Sequence, residues 1–109
     1  MTWTEVHRRT DIMHTVLARA EVDPHAEDLF AFPPGELDRL FGGVSGLLAA
    51  LKYRWNNHLS VKLELGEAIG RTPVESYLEL AAEQPALRAL LDVHNDDLNT
   101  ASRTPVHVY

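Results

Sequence analysis

Cysteine is absent from the chain. That single absence removes disulfides, thiolate-bound zinc, iron–sulfur clusters and thiol nucleophiles, and it gives no sign of an oxidising compartment. Positive charge is scarce: ten bases, two of them lysine, stand against 16 acids for a formal charge of -6. The molecule as a whole therefore opposes approach to a phosphate backbone, and a general nucleic-acid coat protein is not expected. No apolar run approaches the ~20 residues needed to span a bilayer. The first residues, Met1 to Glu5, offer neither the basic nor the apolar region of an export signal. Cytoplasm is the expected location, with no membrane involvement. Eight arginines to two lysines, with plentiful alanine and leucine, suit a GC-rich bacterial genome.

What remains is ordinary globular material: 109 residues, 45% hydrophobic and 24% charged. That supports one core and no more. A core of this size covers a modest share of the chain's surface, so a homodimer partner over a leftover apolar face would suit it.

The apolar spacing is helical throughout, which predicts an all-α protein. Trp3, Val6, Met13, Val16, Leu17 and Ala20 mark a first helix from Trp3 to Val22. Asp23 followed by Pro24 reads as an N-cap and first helical position, predicting a short second helix to about Phe32 that Pro33 and Pro34 stop. Glu36 to Phe41 allows a turn or two before Gly42 and Gly43. A long helix then runs from Val44 to about Ile69, with Val44, Leu48, Leu51, Trp55 and Leu59 on one stripe and Leu47, Val61, Leu65 and Ala68 beside it. At about 40 Å it is the spine of the fold. Gly70 supplies a stop, Thr72 to Glu75 forms a capping box, and Pro85 restarts the chain for a last helix bearing Leu87, Leu90, Leu91, His94 and Leu98. The expectation is about six unequal helices around one long central helix, a single domain over residues 1–103, and a C-terminal tail over 104–109.

The stretch Pro34-Gly35-Glu36-Leu37-Asp38-Arg39-Leu40-Phe41-Gly42-Gly43-Val44-Ser45-Gly46-Leu47-Leu48-Ala49-Ala50-Leu51 resembles the end of the helix-turn-helix and the start of the fourth helix of TetR-type transcriptional regulators. The similarity continues loosely to residue 59. Gly35, Leu37 and Phe41 match the family's turn glycine, aliphatic and phenylalanine, and Leu47, Leu48 and Leu51 match the aliphatics of the next helix. Pro85 to Leu91 looks like a helix from the regulatory half. The resemblance implies a TetR-like helical bundle in which these residues hold the recognition helix against the long one.

The departures fall on the family's DNA-contacting positions. Asp38 and Leu40 stand where the family has a tyrosine and a polar group, and Val44 stands where it has a phosphate-binding lysine. Glu27 and Asp28 replace an aliphatic and an alanine. From Asp23 to Gly43 there are five acids against Arg39 alone, the wrong sign for a groove reader. Packing is kept and contact chemistry is lost, which points to a non-enzymatic interaction module. Its expected partner is another protein or a second copy, and transcription regulation is its inherited setting. A small DNA-binding regulator with Arg39 as its base-reading residue is an alternative with less behind it. A small-molecule binder with a pocket between the long and final helices is another.

Arg54, His58 and Lys62 align at spacing four along one edge of the long helix, beside Trp55, Asn56 and Asn57. This edge is either a solvated face with Trp55 in the core, or a patch that meets an acidic partner or a phosphate with Trp55 as anchor. Trp3 and Tyr53 are the other candidate contact residues. No metal site is expected, because His7 and His14 are two turns apart and no second ligand pair accompanies them. His94 reads as a histidine of the core stripe. The segment Asp92 to Asp97 lacks the glycine and glutamate of a calcium loop. No phosphate loop or nucleophile elbow is present, so no cofactor and no catalytic residue are assigned.

Overall fold

The computed structural model describes residues 2–94. The tail at 104–109, Leu98, the stop at Ser102 and Arg103, and the acids at 96 and 97 lie outside them. Five helices follow one another: α1 Trp3–Val22, α2 Glu36–Phe41, α3 Val44–Ala68, α4 Pro73–Glu83 and α5 Pro85–Val93. No strand occurs among the described residues.

Local chemistry sets the ends. Thr2 and Thr72 each accept from the amide three residues on, while Glu5 and Glu75 reach back to the cap amide, giving two full capping boxes. Gly70 takes φ +82°, and the neighbouring Arg71 amide closes onto the Gly66 carbonyl at 2.7 Å, which ends α3 in the left-handed conformation glycine tolerates best.

The expected helix from Pro24 to Phe32 is not formed, which leaves five helices among the described residues. Asp23 spends its Oδ1 on the His25 amide at 2.9 Å, and the chain continues in three-residue turns, Asp23 to Ala26 and Asp28 to Ala31. Three carbonyls at the end of this stretch go to Arg19 of α1. Its Nη1 donates to Asp28, Leu29 and Ala31 at 2.9, 3.3 and 3.0 Å, and its guanidinium covers the Phe32 ring at 4.7 Å. Leu29 thereby drops into the core.

The core is drawn from every element. Ile12, Val16 and Ala20 of α1 meet Leu47, Leu48, Leu51 and Trp55 of α3, with Leu40 of α2, Leu80 of α4 and Leu87, Leu90 and Leu91 of α5 closing it. The expected α1 stripe holds at Val16 and Ala20, with Met13 and Leu17 packed against the core, and fails at its N-terminal end. Trp3 and Val6 are exposed, and Ile12 is fully buried. His94, at the end of α5, is half-buried with its ring edge-on to Phe30 at 5.2 Å.

α2 hangs from α1 by ion pairs. Arg8 grips Glu36 through two hydrogen bonds of 2.8 and 2.7 Å, and Arg39 meets Glu5 at 3.2 Å. The hydrogen bonds from Arg8, aided by its charge and that of Arg39, hold the Glu36 carboxyl below the usual carboxylate range. A depressed folded-state pKa contributes stability above the unfolded value near 4.3 and loses it as pH falls through the folded value. Urea midpoints of wild type should therefore decline on acidification below about pH 4.5. Glu36→Gln should lower the midpoint at pH 7, and the gap to wild type should narrow as acid protonates the carboxylate; a gap that persists unchanged in acid would count against the pairing.

Candidate functional site

The edge of α3 that carries Tyr53, Arg54, Asn57 and His58 faces α1 across an open cleft of about 460 Å³. Arg9 and Met13 of α1 form the far wall, and Ala50 completes the near one. Three of the expected contact residues thus come together, and no carboxylate lines the space. Arg9 is already committed: it donates to the Leu40 carbonyl and lies over the Phe41 ring at 4.5 Å. His58 Nδ1 is in hydrogen-bond contact with Gln84 Nε2. With the amide nitrogen donating, Nδ1 accepts and the ring proton sits on Nε2.

Arg54 has no such commitment. Its Nε is out of solvent and has no acceptor. Every other arginine among the described residues is satisfied: Arg8 by Glu36, Arg9 by Leu40, Arg19 by its three carbonyls, Arg39 by Glu5, Arg71 by Glu79 and Arg88 by Asp92.

Trp55 is not on this surface. It is 3% exposed, edge-on to Tyr77 at 5.8 Å and capped by the Arg88 guanidinium at 4.7 Å, so it serves the core and cannot anchor a partner. Lys62 is also spoken for. It bridges to Glu79 at 2.6 Å and Glu83 at 2.7 Å, and the hydrogen bonds it donates to these two carboxylates raise its pKa. Trp3 remains exposed at the start of α1, stacked edge-on with His7 at 4.3 Å. Arg39, the base-reading candidate, is tied to Glu5 and shares α2 with Glu36 and Asp38.

A second surface escaped the residue pattern. Lys62, Glu79, Glu83 and Arg71 clasp α3 and α4 into a hairpin, and Gly66 lets the two helices meet closely at the buried Ser76. Outside the clasp, Val61, Leu65 and Ile69 on one arm and Val74 and Leu78 on the other are each more than half exposed. The signal was present as the spacing of four that links Val61, Leu65 and Ile69, but it read as an extension of the core stripe.

No protein-family model, curated protein or solved structure matches the chain. The residues themselves must carry the functional argument. Among the described residues no three metal-ligating side chains converge, and no helix is long and apolar enough to cross a membrane.

Proposed function

We propose that this protein is a non-enzymatic helical interaction module that works by protein contact, its first partner being a second copy of itself. The observation that carries this is the hairpin of α3 and α4, which presents five large aliphatic side chains to solvent on a frame that ion pairs hold in shape. Large aliphatic side chains exposed in such number on one hairpin suit a contact site. At rigid helical positions its ordering cost on association is small. The TetR-like ancestry belongs to the same proposal. It is supported by the packing of Leu37 and Phe41 against the core and by the burial of Leu47, Leu48 and Leu51. The capture of Arg39 by Glu5 weighs against groove reading.

Sedimentation velocity across micromolar concentrations tests the contact. Wild type is expected to show a concentration-dependent dimer, and a Leu65→Glu, Leu78→Glu double variant is expected to sediment as a monomer with unchanged helical circular dichroism. A wild type that stays monomeric throughout, and that retains the same bound proteins as the double variant in a pull-down, ends the proposal.

A further inference from the structure

We propose that the cleft between α1 and α3 is a binding site for a small organic anion, a carboxylate or phosphate monoester on an apolar body, with Arg54 taking the charge. This cleft is separate from the exposed face of the hairpin, and a donor without an acceptor lines it. A guanidinium nitrogen shielded from water with no acceptor is costly, because buried donors lose their solvation without replacement. Six other described arginines avoid that cost by finding an internal acceptor. Arg54 does not, in a chain with an excess of carboxylates. Its guanidinium lines an open cleft with no internal acceptor, so an acceptor entering that cleft would suit it.

The neighbours define what kind of acceptor. Asn57 brings amide donors, His58 a ring N–H on Nε2 and Tyr53 a hydroxyl, and the α1 wall adds the positive charge of Arg9. A planar guanidinium fork among neutral donors suits the paired oxygens of a carboxylate or phosphate. Met13 and Ala50 supply apolar surface beside those donors. The volume of about 460 Å³ falls in the range that small ligands occupy and exceeds what a bare ion needs. With no carboxylate in the lining, the local field is positive on a molecule of net charge -6, which concentrates an anion at this place.

Calorimetry and thermal melts of the full chain test the site, with benzoate, phenyl phosphate, inorganic phosphate and neutral benzamide as probes. Benzoate or phenyl phosphate should bind and raise Tm by about 5 °C at ten times its Kd, and the tighter of the two names the oxyanion. Benzamide should leave Tm unchanged, and inorganic phosphate should bind at least tenfold more weakly than phenyl phosphate. Arg54→Met should abolish the shift while the unliganded Tm holds or rises, since it removes an unsatisfied donor; a merely structural arginine would lower it. Ala50→Glu provides the second variant. One turn before Arg54, it supplies the missing acceptor from within and should block the anion while stabilising the fold. Absence of binding by both organic anions at 10 mM overturns the proposal, as does equal binding by Arg54→Met or Ala50→Glu, or an inorganic phosphate affinity equal to that of phenyl phosphate.

Discussion

Gly46→Ala is expected to destabilise the protein by about 3 kcal/mol or more. In an exposed helix the same change would stabilise by up to about 1 kcal/mol, because alanine is the better helix former. Here the sign reverses. A Cβ on Gly46 would lie 1.6 Å from the Phe41 carbonyl oxygen and 2.7 Å from its carbon, where the end of α2 crosses the start of α3. The obstacle is main chain, so no rotamer change relieves it, and α2 must move off α3. At Gly66 the obstacle is the Ser76 hydroxyl at 2.1 Å, a side-chain atom that a second substitution could remove. Urea unfolding followed by circular dichroism decides the matter: a midpoint for Gly46→Ala equal to or above wild type would mean that the two helices do not meet this closely.

Trp55→Ala should cost about 3–5 kcal/mol, the range for emptying a large buried aromatic site. Its indole sits at the meeting of α3, α4 and α5. Tyr77 approaches its ring from one element and Arg88 covers it from another, so the cavity cannot close by collapse of a single neighbour. Trp55→Phe keeps an aromatic ring there and should lose clearly less. The two variants also separate core from interface. If Trp55 anchored a partner, the alanine variant would keep its urea midpoint and lose association; the expected outcome is a large fall in midpoint.

The contrast between Trp55 and its neighbours shows how far residue spacing could be trusted. The ends of α3 were legible because Gly43 and Gly70 punctuate them, and α4 was legible because Thr72, Pro73 and Glu75 spell out a helix start. Arg54, His58 and Lys62 could be placed on one edge by counting alone, and Tyr53 could not. Arg9 and Met13 could not be joined to them, since only the packing of α1 on the bundle brings that wall near. The same limit explains Pro24 to Phe32. Asp23 and Pro24 fit a helix start, and nothing local announces that a guanidinium nine to twelve residues upstream takes the carbonyls. Val61 and Leu65 matched the core period and yet lie outside it, because period reports a face and not what covers that face.

Arg19 ties the path of the crossover to the far end of the first helix. The crossover from α1 to α2 has no ladder of its own; its oxygens converge on one nitrogen at the last turn of α1. That nitrogen holds its place only while α1 stays wound to its end, so the path that puts Leu29 in the interior and Glu36 beside Arg8 depends on the last turn of α1. A stretch that looks like slack rope is in effect a mould with a single peg.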